Sequence, residues 1–153
     1  MKNNKISYGQ ENDLNLKVII TMSRATKAVH RRSSDIFKKG GLTITQFGVL
    51  EALYHKGSLS INQIIRSILS TGGNVTVVVN NLEKDHLVQR HTNPEDQRSS
   101  LISITPKGRE KIEELFPLHL NDLRGCFSVL SDDEKHTLTT LLQRIQNACN
   151  TEV

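Results

Sequence analysis

Two capping boxes set close together constrain this chain more than any other feature of it. Thr43-Ile44-Thr45-Gln46 and Ser60-Ile61-Asn62-Gln63 both have the form S/T-x-x-E/Q. In that arrangement a hydroxyl and a side-chain amide reciprocally satisfy orphan backbone N–H groups at a helix start. Apolar residues at helical spacing follow each box: Phe47, Leu50, Leu53 and Tyr54 behind the first, Ile61, Ile64, Ile65 and Ile68 within and behind the second. His55-Lys56-Gly57 supplies the turn between them. Two short helices with inward-facing apolar stripes are therefore predicted, joined by a tight connection.

The next segment carries most of the functional information. Ser70-Thr71-Gly72-Gly73 is a tight turn of small residues, and Val75, Val78, Val79 and Leu82 behind it recur at the period of a helix buried on one side. A valine-rich run leans towards strand by intrinsic propensity. The spacing and the polar Asn80-Asn81-Glu83-Lys84 residues instead predict a helix over about Gly72 to Lys84. After His86, Leu87 to His91 alternates apolar and polar, Thr92 to Ser99 is a polar turn containing Pro94, and Leu101, Ile102 and Ile104 form a second short strand, which together predict a β-hairpin. Helix, helix, turn, helix and hairpin over residues 41–104 make a winged helix-turn-helix, whose helix after the turn enters the DNA major groove.

Helices are also predicted at both ends. Leu14, Val18, Met22, Ala25 and Val29 form one stripe of a long helix over Asp13 to Lys38, ended by Gly40-Gly41. Thr105 caps and Pro106 begins another at the position where a missing N–H is harmless, with Ile112, Leu115, Phe116 and Leu120 on its apolar side. Ser131-Asp132-Asp133-Glu134 is a third capping box, opening a last helix expected to bury Leu138, Leu141, Leu142 and Ile145. The fold class is thus mainly α with a small β-hairpin wing, a single domain over residues 1–153.

Composition excludes several classes. No apolar run approaches the roughly 18 to 20 residues that span a bilayer, and Met1 to Gln10 lacks the apolar segment of a secretory signal, so no membrane partner and a cytoplasmic location are expected. Cys126 and Cys149 form no CxxC, and His30, His55, His86, His91, His119 and His136 show no ligand spacing, so neither a metal nor another cofactor is expected. G-x-S-x-G, Walker, G-x-G-x-x-G and H-E-x-x-H motifs are all missing, which argues against an enzyme. The net charge is +4, yet residues 41–104 hold five Lys/Arg against five Asp/Glu, so bulk charge does not identify the reading segment. Position has to.

On the recognition helix the residues turned away from the apolar stripe are Asn74, Thr76, Val77 and Asn80, with Thr71 and Gly73 at the preceding turn. Asparagine can bond an adenine edge bidentately, and threonine or valine methyls pack on the thymine methyl, so double-stranded DNA with A·T-rich sequence fits this face. At the hairpin tip Arg98 is slim and permanently charged, suited to a narrow, electronegative minor groove, and Asp96 can hold its guanidinium in a fork.

Leu42-Thr43 to Leu53 (LTITQFGVLEAL), Gly73 to Arg90 (GNVTVVVNNLEKDHLVQR) and Asn93 to Gly108 (NPEDQRSSLISITPKG) resemble the MarR family of bacterial regulators over nearly the whole chain. Asp96-Gln97-Arg98-Ser99 matches that family's D-x-R wing signature, and Thr105-Pro106-Lys107-Gly108 follows at the expected distance. The resemblance implies a homodimer made by the terminal helices, residues 11–39 and 105–149, presenting two reading heads to a pseudo-palindrome. It also implies a repressor released by a small phenolic or quinone-type effector. Met22, Thr26, His30, Phe47, Phe116 and His119 are the candidate lining of that crevice. Two alternatives stand beside this reading: a winged-helix module that binds a partner protein, and a regulator responding to oxidants through a cysteine. Some members of the family sense oxidants through a cysteine in the first helix, and this chain has none there.

Overall fold

The computed structural model describes residues 6–68, 75–94 and 99–150. In chain order the elements are α1 (Gln10–Lys39), α2 (Ile44–Lys56), β1 (Leu59–Ser60), α3 (Ile61–Ser67), α4 (Val75–Lys84), β2 (Val88–Thr92), β3 (Ser100–Ile104), α5 (Pro106–Phe127) and α6 (Asp132–Asn150). The chain divides into two compact units, Met1–His119 and Leu120–Val153. A mainly helical fold with a small antiparallel wing is what the sequence patterns predict.

All three capping boxes form. Thr43 Oγ1 accepts from the Gln46 N–H at 3.2 Å while Gln46 Oε1 accepts from the Thr43 N–H at 2.8 Å. Ser60 and Gln63 repeat the exchange at the start of α3, and Ser131 and Glu134 at the start of α6. At the other end of α1, Gly41 takes φ +77°. Its N–H donates to the Lys38 carbonyl and the Leu42 N–H to the Phe37 carbonyl, so the helix closes on a left-handed glycine.

The core of the first unit gathers Phe37 from α1, Phe47, Val49, Leu50 and Leu53 from α2, Ile64 from α3, Val75, Val79 and Leu82 from α4, Ile102 from β3 and Ile112 and Leu115 from α5. Burying an aliphatic side chain of this kind contributes about 1.5–3 kcal/mol. Phe37 and Phe47 stack with centroids 3.8 Å apart.

Three expectations need correction. The hairpin is not alone, because β1 adds a third strand in the order β1-β3-β2 through Leu59↔Ile102 and Ser60↔Leu101. Of the α3 isoleucines Ile64 is fully buried but Ile65 is 50% exposed, since a two-turn helix can bury only a narrow stripe. The α1 stripe lies where its spacing predicts, and Leu14 and Val18 on it are exposed, as are the neighbouring Leu16, Ile19 and Ile20. On α6, Leu138, Leu141, Leu142 and Ile145 are exposed as well, and no described residue of that helix is buried. Both helices thus carry apolar side chains that are exposed among the described residues.

Candidate nucleic-acid interface

The interface starts from the way α4 is held. Val75, Val79 and Leu82 are buried at a spacing of four and three, fixing the opposite side outward. That side presents Thr76, Val77 and Asn80, all exposed, with Val77 half-exposed at 50%. The sequence-predicted reading face is therefore outward along α4. Thr71, Gly73 and Asn74 lie outside the described residues.

The C-terminus of α4 ends on a non-glycine residue in the left-handed region, His86 at φ 59°. The His86 N–H donates to the Glu83 carbonyl and the Leu87 N–H to the Leu82 carbonyl, with Leu82 and Leu87 both buried beside the turn. Thr105, Lys107 and Gly108 then weld this turn to the start of α5. Thr105 Oγ1 donates to the His86 carbonyl at 2.7 Å and accepts from the Gly108 N–H at 3.1 Å, while Lys107 Nζ reaches the Asp85 carbonyl at 2.8 Å. A side chain at position 108 would drive a Cβ to 2.1 Å from the Leu87 carbonyl oxygen. The T-P-K-G segment is thus a joint, and its glycine is required by close backbone approach.

The wing is an antiparallel pair, Val88↔Ile104 to Thr92↔Ser100. Its neck is closed by Asn93, whose N–H and Nδ2 donate to the Ser99 carbonyl and Ser99 Oγ, both at 3.0 Å. Nearer the base of the ladder His91 Nε2 and Ser103 Oγ lie 2.5 Å apart. Asp96 and Arg98 lie outside the described residues.

One contact on this face was not visible in the sequence. Arg90, on β2, donates from Nη2 to Asn80 Oδ1 at 3.0 Å, and its Nε lies 3.6 Å from Glu83 Oε2. The expected open polar face is thus engaged at Asn80 by a cation from the wing. Residue pattern gives no signal for it, because an exposed arginine in a strand reads as surface.

The candidate effector residues fall into two groups. Met22, Thr26 and His30 line a shallow, open depression along α1 with Ile19, Ser23 and Lys27. Phe47, Phe116 and His119 belong to an aromatic cluster around Phe37, with His119 centroids 5.1 Å from Phe37 and 5.6 Å from Phe47. Phe47 is only 2% exposed and serves as core. Among the described residues no group of His, Cys, Asp and Glu is arranged to hold a metal ion, and no helix is long and apolar enough to cross a membrane.

Comparison with known proteins agrees with this geometry. A family model described as transcriptional regulator SarA/Rot matches residues 31–115. The HTH-type transcriptional regulator MhqR of Bacillus subtilis is 38% identical over 130 residues, covering 85% of this chain and 90% of that protein. BpsR of Bordetella bronchiseptica, a structure concerned with regulation of its DNA binding by 6-hydroxynicotinic acid, superposes with a TM-score of 0.76 at 26% identity, covering 84% of this chain and 92% of that one. Sco3205 of Streptomyces coelicolor, solved in complex with DNA, gives 0.81 at 18% identity over 95% of this chain and 92% of that one, a likeness of fold.

Proposed function

This chain belongs to the MarR family of winged helix-turn-helix transcriptional regulators, and on that premise we propose that it binds a pseudo-palindromic operator as a homodimer and represses from it. It is a DNA-binding regulator and not an enzyme. The observation that carries the operator reading is α4 itself, buried through Val75, Val79 and Leu82 and outward through Thr76, Val77 and Asn80 beside a wing. Asn74, with Thr71 and Gly73 at the turn, extends the reading face, and Arg98 oriented by Asp96 enters the minor groove. The exposed apolar stripes of α1 and α6 support a dimer made by the terminal helices, since a second copy would cover them, and cyclic pairs are the commonest assembly.

The test is selection of duplexes from a randomised pool by the full-length protein, followed by competition at several salt concentrations. An enriched inverted repeat, bound with a steep loss of affinity as salt rises, is the expected result. Enrichment of no sequence would overturn the reading.

A phenolic or quinone-type effector that lowers DNA affinity completes the proposal, supported by the hydroxylated aromatic acid named for the BpsR relative. Met22, Thr26 and His30 on α1 are the accessible candidates to contact it, with Phe116 and His119 behind them in the proposal and Phe47 as packing. Such a compound should raise the melting temperature of the free protein and release it from DNA together, because a ligand shifts an equilibrium only by its differential affinity for the two states. Loss of every response in Cys126→Ser/Cys149→Ser protein would favour thiol chemistry instead.

A further inference from the structure

Arg90 stands on the wing strand but spends its donors on the recognition helix. Its Nη2 donates to Asn80 Oδ1 at 3.0 Å while Nε faces Glu83 Oε2 at 3.6 Å, and Asn80 and Glu83 are neighbours on one face of α4. Guanidinium has donors and no acceptor, so only the oxygen end of the Asn80 amide can meet it. An isolated exposed asparagine turns its amide over freely and offers a base edge either a donor or an acceptor. With Oδ1 held by Arg90, and Arg90 itself anchored by Glu83, one sense is selected. The amide nitrogen becomes the leading atom, made a stronger donor by the charge on its oxygen.

We propose that Arg90 is a positioning residue that sets base specificity through Asn80, fixing that side chain as a donor so that it accepts guanine, thymine or the adenine N7 and rejects cytosine, whose major-groove edge offers only an amino donor. The inference rests on the reading of α4 as the major-groove helix. It replaces the two-way adenine contact that residue type alone suggests with a one-way donor contact.

The experiment uses the full-length protein and the duplexes it enriches from a randomised pool. The base pair read by Asn80 is the one whose preference disappears in Asn80→Ala. At that pair the wild-type protein is expected to disfavour cytosine by roughly tenfold, the scale of one hydrogen-bonded base contact. Arg90→Met keeps the apolar stem and removes every donor, and should shrink the discrimination to within about twofold, with preferences at the other pairs and the circular dichroism spectrum unchanged. Glu83→Gln, which leaves the arginine without its carboxylate, should shift the same preference in the same direction by less. In the Asn80→Ala background, Arg90→Met should change nothing at that pair, because the two residues act as one unit. If both Arg90→Met and Glu83→Gln kept the full discrimination against cytosine, the inference would fall while the operator reading stood. If Arg90→Met instead weakened all sequences equally and lowered the salt slope by about one per subunit, Arg90 would be a phosphate contact and the proposal would be wrong. If the wild-type protein enriched no sequence, both readings would fall together.

Discussion

The hydroxyl of Thr105 donates to the carbonyl of His86 across 2.7 Å, joining the last turn of the recognition helix to the first turn of α5. The same oxygen accepts from the Gly108 N–H, so one side chain caps one helix and closes another. The direction in which α4 points is therefore fixed at its C-terminal end.

The close approach at this joint makes Gly108 the most tightly hemmed glycine among the described ones. Gly108→Ala places a methyl 2.1 Å from the Leu87 carbonyl oxygen and 2.9 Å from Ile104 Cγ1, backbone and core that cannot yield cheaply. A destabilisation of about 3 kcal/mol is expected, at the upper end for overpacking. Urea unfolding measures it, and a wild-type midpoint in the variant would refute the close packing of this joint.

His86 occupies a position that favours glycine. At φ 59° an L side chain is strained, and His86→Gly relieves it without touching the two capping hydrogen bonds, which are backbone. A gain of about 0.5–1 kcal/mol is expected after allowing for the greater unfolded-state freedom of glycine. A lower melting temperature for His86→Gly would mean that the imidazole makes a stabilising contact that offsets the strain.

Arg98 and Thr76 should fail in different ways. Arg98→Ala is expected to weaken binding most on sites with A·T-rich flanks and to flatten the salt dependence by about one counterion unit per subunit. Thr76→Ala should relax preference at a particular base pair by about 1 kcal/mol and leave the salt slope alone. Equal affinity of Arg98→Ala and wild type at all salt concentrations would remove the wing from the reading surface.

The exposed stripes of the terminal helices make a prediction about assembly. Ile19→Glu on α1 and Leu141→Glu on α6, at side chains 54% and 47% exposed in the single chain, should each shift sedimentation from dimer to monomer. Operator affinity should fall about a hundredfold or more as two half-sites cease to be engaged together. A dimer that survives both substitutions would place the interface elsewhere.

The start of α1 should respond to acid. Asp13 accepts from Ser7 Oγ at 2.5 Å and from the Tyr8 N–H at 2.9 Å. The Ser7 hydroxyl first and the Tyr8 amide second hold its carboxyl below the ordinary aspartate value. A depressed pKa contributes order that is complete above the unfolded carboxylate range and is lost as pH falls through the lowered value. Protection of the Tyr8 amide, the slowing of its exchange relative to the unstructured rate at the same pH, should therefore fall in that acid window in the wild type, and be slight at every pH in Asp13→Asn. Protection that stays constant through that window would refute the role of Asp13 at this helix start.

What the sequence made legible follows from which forces are local. The capping boxes at Thr43, Ser60 and Ser131 act over three residues, and all are found as read. The outward set Thr76, Val77 and Asn80 followed from helical period, because a helix buried through Val75, Val79 and Leu82 leaves no other face. Strand β1 was illegible, since two residues contain no period. Arg90 was illegible for another reason: its partner lies ten residues back on a different element, and only the folded wing brings them together. The stripes of α1 and α6 could be seen as apolar, but a pattern says that a surface is to be covered and not by what.

Ser60 carries a consequence beyond its part in the sheet. It pairs with Leu101 on β3 through its backbone and caps α3 with its side chain, so a strand ends and a helix begins within one residue. Only the two backbone torsions of Ser60 stand between them to absorb a rotation. A tilt of the hairpin larger than those two torsions take up is passed to α3, and the reverse. A molecule that leaned on α3 could thus alter the pitch of a wing that it never touches, and a groove too wide or too narrow for the wing would be felt as torque at the far side of the reading head.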